Sequence, residues 1–182
     1  MNLVINGKSI TVADDDAMLI DVLRNGGLTG TKLVCGGGVC GACTVLLDGK
    51  PVVSCLMHAM AARDRQLTTV EGIGAGGLHP VQKAFIACDA LQCGFCTPGF
   101  IVEAAAFHDA WRRDKGTVTP PRADVTVALA GHLCRCGAYA SICKAVEEAC
   151  AGRFDTAEPR GPRVEAAEKV TGRAKIYGRY RT

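Results

Sequence analysis

Residues 35–43 read Cys-Gly-Gly-Gly-Val-Cys-Gly-Ala-Cys, and a fourth cysteine, Cys55, follows after eleven further residues. Four and two residues separate the first three cysteines, so three thiols fall within nine residues. The four glycines of the stretch let a backbone curve closely around a bound group without side-chain collisions. The segment therefore predicts a loop that holds a metal centre through four thiolates.

The spacing of these cysteines indicates which centre they hold. A Cys-x4-Cys-x2-Cys run with a distant fourth cysteine is typical of plant-type [2Fe–2S] clusters. Four cysteines also suit tetrahedral zinc, but zinc ligands usually come as two short Cys-x2-Cys pairs. The spacing favours a [2Fe–2S] cluster, with zinc as the alternative, and the predicted ligands are Cys35, Cys40, Cys43 and Cys55.

A second cysteine set consists of Cys93-x2-Cys96 and Cys134-x-Cys136, with 37 residues between the two pairs. Its spacing alone leaves zinc and [2Fe–2S] equally open. Glycines and a proline flank the pairs, which predicts that helices begin there, and helix N-termini stabilise a negatively charged cluster. We expect the other three cysteines to pack as small apolar side chains; they are Cys88, Cys143 and Cys150.

The cysteine count also bears on location. Eleven cysteines in 182 residues are an odd number, which argues against complete disulfide pairing. The first residues lack the pattern of a secretory signal, and no apolar run approaches a membrane-spanning length. We therefore expect a cytoplasmic protein without a membrane span, since clustered cysteines in a reducing compartment usually bind metal.

Turn and periodicity signals predict a small mixed sheet in residues 1–74. Asn6-Gly7 and Asp48-Gly49 lie between short apolar runs and predict two hairpins. Residues 17–25 have helical apolar spacing, with Asp14–Asp16 as candidate caps, and residues 67–70 suit a last strand. The first domain is thus predicted to be a sheet crossed by one helix.

The character of the sequence changes after the glycine-rich residues 72–77, which suit a linker. Helical spacing dominates up to about residue 152 and predicts a small bundle, so the fold class is α+β; the helical segments are 79–88, 98–111, 122–133 and 141–151. Residues 153–182 are predicted to be an extended basic tail lying on a partner, with eight Lys and Arg against four Asp and Glu. The tail lacks interleaved aromatic residues and a binding motif, which argues against nucleic acid.

Three motifs together carry a family resemblance: residues 31–45 around the first cysteines, Leu91-Gln-Cys-Gly-Phe-Cys-Thr-Pro-Gly99, and Leu133-Cys-Arg-Cys136. Over residues 2–150 the chain resembles the iron–sulfur subunit of the xanthine oxidase family of molybdenum hydroxylases. The resemblance implies a β-grasp ferredoxin domain followed by a four-helix bundle, each with one [2Fe–2S] cluster. The second cluster then has four predicted ligands: Cys93, Cys96, Cys134 and Cys136.

The same resemblance implies partners and a direction of electron flow. A large subunit would bind molybdopterin, contacted by Gln92 and Cys136, and a medium subunit would bind FAD, in a heterotrimer or its dimer. This chain would hold no catalytic residue and would relay electrons from the pterin side to the flavin or an external acceptor. The alternatives are a free-standing two-cluster ferredoxin and a zinc-stabilised interaction module.

The chain departs from the family pattern at several positions. Val34 replaces a usual glycine, Gly37 stands where an acidic residue is frequent, and His132 stands where asparagine is common. Gly137-Ala-Tyr139 replaces Thr-Gly-Tyr, so hydrogen bonds to the clusters are expected to differ. The tail segment 163–175 resembles the opening of the family's molybdenum-binding chain.

Overall fold

The computed structural model describes residues 1–175, which form an α+β fold of five strands and seven α-helices. The strands are Asn2–Ile5 (β1), Lys8–Thr11 (β2), Thr44–Leu47 (β3), Lys50–Val53 (β4) and Gln66–Thr68 (β5). The helices are Leu19–Asn25 (α1), Val70–Ile73 (α2), Pro80–Ala87 (α3), Thr97–Lys115 (α4), Arg122–Ala128 (α5), Tyr139–Cys150 (α6) and Ala166–Val170 (α7). Within this part of the chain, no helix is both long and apolar enough to cross a membrane.

The five strands form one mixed sheet in the order β2-β1-β5-β3-β4. Both predicted hairpins are present, and β1 pairs in parallel with β5. Asn6, Gly7, Asp48 and Gly49 all have positive φ, as tight two-residue hairpin turns require. The sequence prediction of a mixed sheet is confirmed.

Helix α1 packs its apolar side against the sheet, where Leu19 and Leu23 are fully buried. It begins at Leu19, two residues later than predicted, because Met18 forms an isolated β-bridge with His58. The candidate capping residues instead form a local turn, in which the Asp14 carboxylate accepts the amide of Asp16 at 3.0 Å.

The four predicted helices after the linker are present as α3 to α6 and surround a second buried core. Phe85, Phe100 and Ile142 are among its largest fully buried side chains. Helix α5 ends at Ala128, earlier than predicted, and residues 129–138 form turns that carry the last two cysteines of the second set. The glycine-rich segment predicted as a linker starts inside the short helix α2.

The tail departs from its prediction as an extended segment. Residues 166–170 form helix α7, and Ala166 and Val170 are buried in the helical core of this same chain. Gln82, on α3, donates a hydrogen bond from Nε2 to the carbonyl of Val170 at 2.9 Å. The first part of the tail therefore packs on its own chain, while residues 176–182 lie outside the described residues.

Candidate metal centres

The first cysteine set lies at the end of the sheet, on the loop between α1 and β3 and on a 3₁₀ turn after β4. The turn spans Ser54–Leu56 and carries Cys55. The thiols lie as two neighbouring pairs, Cys35 with Cys40 and Cys43 with Cys55. Cys35 is exposed, whereas the other three are buried. The structure thus places the four residues that the spacing predicted in two thiol pairs.

Backbone amides of the glycine-rich loop point at the exposed Cys35 sulfur. The amide of Gly37 donates to Cys35 Sγ at 3.4 Å. Hydrogen bonds from the amides of Gly37, Cys40 and Val39 lower the pKa of the Cys35 thiol to about 6. Gly36 and Gly38 adopt positive φ, which lets the loop curve around the sulfur. The loop is therefore built to stabilise negative charge.

Cys43 has the opposite environment. Burial raises the pKa of its thiol to about 11. A thiolate at this buried position needs a metal cation to compensate its charge, since a coordinating thiol is deprotonated by the metal itself. One exposed and three buried thiols suit a centre placed just beneath the surface.

The second cysteine set lies where two helices begin. Cys96 immediately precedes α4, and the amide of Ala138, immediately before α6, donates to Cys134 Sγ at 3.4 Å. The Tyr139 hydroxyl accepts the amide of Cys134 at 2.7 Å, so the unusual segment 137–139 supports this ligand loop. Both helix N-termini face the set, as predicted, and their dipoles favour negative charge there.

The second set also forms two pairs, Cys93 with Cys136 and Cys96 with Cys134. Burial raises the pKa of the Cys96 thiol. The amide of Cys93 lowers the pKa of the exposed Cys136, and the ammonium of Lys169 adds to this effect. Spacing had given no reason to include Lys169 in the site.

The pairing of the thiols bears on which metal they fit. Four sulfurs around one tetrahedral zinc lie about 3.8 Å from one another, as follows from a Zn–S bond of about 2.3 Å. Within residues 1–175, the only group of three or more potential ligand atoms all within 4.8 Å is His79, His108 and Asp109. Two thiolates for each of two metal ions is instead the ligand pattern of a [2Fe–2S] cluster, which the donor sets therefore fit.

The cluster of His79, His108 and Asp109 is explained by helix packing. His79 Nδ1 accepts the amide of Val81 at the start of α3, so its Nε2 donates to Asp109 Oδ1 at 3.1 Å. His108 Nδ1 lies 2.8 Å from the same oxygen. Burial alone would raise the pKa of Asp109, but these contacts outweigh it and hold that pKa well below its usual range. The cluster ties α3 to α4.

The two cysteine sets adjoin one another. Leu133, which precedes Cys134 in the sequence, donates from its amide to the carbonyl of Cys40 at 3.1 Å. A cavity of about 340 Å³ is lined by cysteines of both sets and by apolar side chains; among them are Cys40, Cys93, Cys96, Cys134, Val34 and Phe95. A continuous protein path thus joins the two predicted centres.

Buried contacts fix this approach of the two sets. Thr44 donates from its hydroxyl to the Gly41 carbonyl at 2.7 Å and lies 3.1 Å from Nε2 of the buried His132. A Cβ on Gly99 would lie 2.3 Å from that same carbonyl, so only glycine allows the loop to lie on α4. Burial lowers the pKa of His132 to about 4, and the ring is neutral at physiological pH.

Gln92 and Cys136, the residues predicted to contact a pterin, lie at the exposed side of the second set. Because Cys93 pairs with Cys136, Gln92 is brought next to Cys136 across two loops. The backbone carbonyl of Gln92 accepts a hydrogen bond from Lys169 Nζ at 2.7 Å. Both residues are accessible to a partner chain.

Comparisons with known proteins agree with this arrangement. The model of the "2Fe-2S iron-sulfur cluster binding domain" family matches residues 3–70, and that of the "[2Fe-2S] binding domain" family matches residues 69–147. The nicotine 6-hydroxylase small subunit of Paenarthrobacter nicotinovorans is 45% identical over 151 residues, which cover 82% of this chain and 88% of that protein.

Two solved structures extend the comparison. The aldehyde oxidoreductase from Desulfovibrio gigas superimposes with a TM-score of 0.82 at 38% identity, covering 95% of this chain and 21% of that one. A chain of quinoline 2-oxidoreductase from Pseudomonas putida 86 gives a TM-score of 0.75 at 38% identity, covering 87% and 96%. With two [2Fe–2S] family models matched in succession and a small subunit matched over most of its length, the chain belongs to the electron-transferring iron–sulfur subunits of the xanthine oxidase family of molybdenum hydroxylases.

Proposed function

We propose that this subunit takes electrons from a molybdopterin site on a large partner subunit and passes them through two clusters to FAD on a medium subunit or to an external acceptor. The pterin-side cluster is held by Cys93, Cys96, Cys134 and Cys136, and the outer cluster by Cys35, Cys40, Cys43 and Cys55. The observation that carries this proposal is the hydrogen bond between Leu133 and Cys40, which joins the two ligand sets.

The bound clusters supply one-electron chemistry, which the chain's own side chains do not provide. The protein contributes thiolates held in pairs and amides that favour negative charge, such as that of Gly37 at Cys35. It also contributes the path between the sets, which runs from Cys134 through the Leu133 backbone and one hydrogen bond to Cys40.

The exposed ends of the two sets support the proposed direction of electron flow. Gln92 and Cys136 are exposed on one side and would contact the pterin, while Cys35 is exposed in the other set. Val34, Val39 and Leu133 are each more than half exposed beside these loops. Apolar side chains gathered in this way are typical of surfaces that a partner covers. We assign the partners as a large molybdopterin-binding and a medium FAD-binding subunit, in a heterotrimer or its dimer.

The two buried cores support a division into a β-grasp ferredoxin domain of residues 1–74 and a four-helix bundle of residues 75–152. We assign residues 153–182 to a basic tail whose sequence resembles the start of a molybdenum-binding subunit. In support, the similarity to the much longer aldehyde oxidoreductase covers 95% of this chain, whereas that to the nicotine 6-hydroxylase small subunit covers 82%. We assign the subunit to the cytoplasm, because clustered cysteines in a reducing compartment usually bind metal.

Iron analysis and electron paramagnetic resonance (EPR) of the dithionite-reduced complex test the proposal. We expect iron and labile sulfide in equal amounts and two distinct [2Fe–2S] signals. A colourless protein with zinc in place of iron would support the interaction module. An iron-containing chain that purifies without partner subunits would instead support the free ferredoxin.

A further inference from the structure

We infer that Lys169, on the tail helix α7, is a positioning residue that fixes the Gln92–Gly94 loop and favours reduction of the adjacent cluster. The inference rests on the proposed function, because it requires that Cys93 and Cys136 hold that cluster. It concerns a part of the chain that lies beyond both matched family domains.

The tail is anchored before it reaches Lys169. Arg163 forms two hydrogen bonds with the Asp89 carboxylate, from Nε at 2.6 Å and from Nη2 at 3.2 Å. Gly161 lies so close to α3 that a Cβ on it would be 2.2 Å from the carbonyl of Ile86. The chain leading into α7 is therefore held against α3 and the turn that follows it.

Helix α7 is itself fixed by buried contacts. Val170 is fully buried, and its carbonyl accepts the side-chain amide of the buried Gln82. After the helix, Gly172 has a φ of +76° and lies against Val70 and Gly30, where a Cβ would be 2.5 and 3.0 Å away. Because the helix is held at both ends, the position of Lys169 is set by the fold.

The Lys169 side chain lies across the loop that carries Cys93. A Cβ on Gly94 would be 2.6 Å from Lys169 Cδ and 2.7 Å from its Cγ, so the aliphatic stem covers this glycine. The ammonium donates to the Gln92 carbonyl at 2.7 Å and to Glu165 Oε1 at 2.9 Å. Only 12% of the side chain is exposed. Lys169 thus holds the loop from both sides of Cys93.

The positive charge of Lys169 lies beside the same loop that carries Cys93. Its ammonium lies 2.7 Å from the Gln92 carbonyl, one residue before the predicted ligand Cys93. Reduction of a cluster adds one negative charge, so a nearby cation held away from water favours the reduced form. Glu165 offsets part of this charge, but its carboxylate is 49% exposed and is screened more by solvent.

The test is an EPR-monitored redox titration of the purified complex. For Lys169→Met we expect the reduction equilibrium constant of the second cluster to fall about threefold, or ~28 mV for one electron, with the first cluster unchanged. Lys169→Arg should restore most of the difference. Lys115→Met is the control, because Lys115 ends α4 about 28 Å from the cysteines at its start.

An unshifted second cluster in Lys169→Met, with both signals intact, would overturn the inference while leaving the proposed function in place. A wild-type protein without a second [2Fe–2S] signal would instead overturn the proposed function. If Lys169→Met does not assemble, Glu165→Gln carries the same test with opposite sign, because it removes the offsetting carboxylate and should make the second cluster easier to reduce. If neither variant shifts the potential of the second cluster, the inference is wrong.

Discussion

The backbone amide of Leu133 donates a 3.1 Å hydrogen bond to the carbonyl of Cys40, so one hydrogen bond links a loop of the helical part to the cysteine loop of the sheet. Each loop also belongs to its own cysteine set, since Leu133 precedes Cys134. The link depends on how closely the sheet loop approaches α4. Gly99 sets that approach, because its missing Cβ leaves room for the carbonyl of Gly41.

Replacing Gly99 with alanine should therefore separate the two parts. The new Cβ would lie 2.3 Å from a backbone oxygen that cannot rotate away. We expect the free energy of unfolding to fall by about 2 kcal/mol, which is typical of overpacking. Thermal unfolding followed by circular dichroism measures the loss.

Gly131→Ala is the matched control, because a Cβ at Gly131 would meet open space. We expect that variant to unfold within about 0.5 kcal/mol of the wild type, as surface substitutions usually do. Equal stability of Gly99→Ala and Gly131→Ala would show that the two parts tolerate a wider separation.

The sequence predicted the strands and most helices correctly, because Asn-Gly and Asp-Gly turns and helical spacing are local signals. It predicted that α5 runs to residue 133, but the amide of Leu133 bonds the distant carbonyl of Cys40 instead of continuing the helix. The late start of α1 has a similar cause, the pairing of Met18 with His58. Tertiary contacts decided these boundaries.

The tail is where the sequence prediction differs most from the structure, although the sequence contains the features of its helix. Ala166 and Val170 are four residues apart, Glu165 and Lys169 form an i,i+4 ion pair, and Gly172 follows as a stop. These features predict one helical turn or two, but not the surface on which the turn packs. The role of Lys169 at the second cysteine set depends on that packing.

Serine at a predicted ligand position should remove one cluster only. For Cys96→Ser we expect about half of the iron and one EPR signal to be lost, because each set holds its own cluster. Cys88→Ser is the control. The Cys88 thiol, at the end of α3, donates to Glu148 Oε2 at 3.5 Å and belongs to neither cysteine set. Iron loss in both variants would contradict the assignment of ligands.

Cys150 predicts a loss of stability at alkaline pH. Burial raises the pKa of this fully buried thiol from 9.0 to about 12, so the folded state keeps its proton when the unfolded chain has lost it. The contribution of the protonated Cys150 thiol to the free energy of unfolding is complete below pH 9 and is lost as pH rises from 9 toward 12. Between pH 8 and pH 10 we expect a decrease of about 1.4 kcal/mol in the free energy of unfolding.

Urea unfolding of the wild type and of Cys150→Ala at both pH values isolates this contribution. The rest of the chain is identical in both proteins, so the difference between the two curves belongs to Cys150. The wild type should lose about 1.4 kcal/mol more than the variant between pH 8 and pH 10. Parallel losses would mean that the Cys150 thiol ionises equally in the folded and unfolded states.

The ion pair between Arg163 and Asp89 should hold the tail on its own chain. Its two hydrogen bonds give a bidentate geometry, but about a third of the Arg163 side chain and two fifths of Asp89 are exposed, so solvent limits the gain. For Arg163→Ala we expect a small loss of stability and faster proteolysis of residues 160–175. Arg160→Ala, at an exposed position three residues earlier, removes the same charge and should change neither.

Deleting residues 160–182 should weaken binding to the molybdenum-binding subunit, as measured by co-purification. Full retention of that subunit would show that the tail serves only the fold of its own chain.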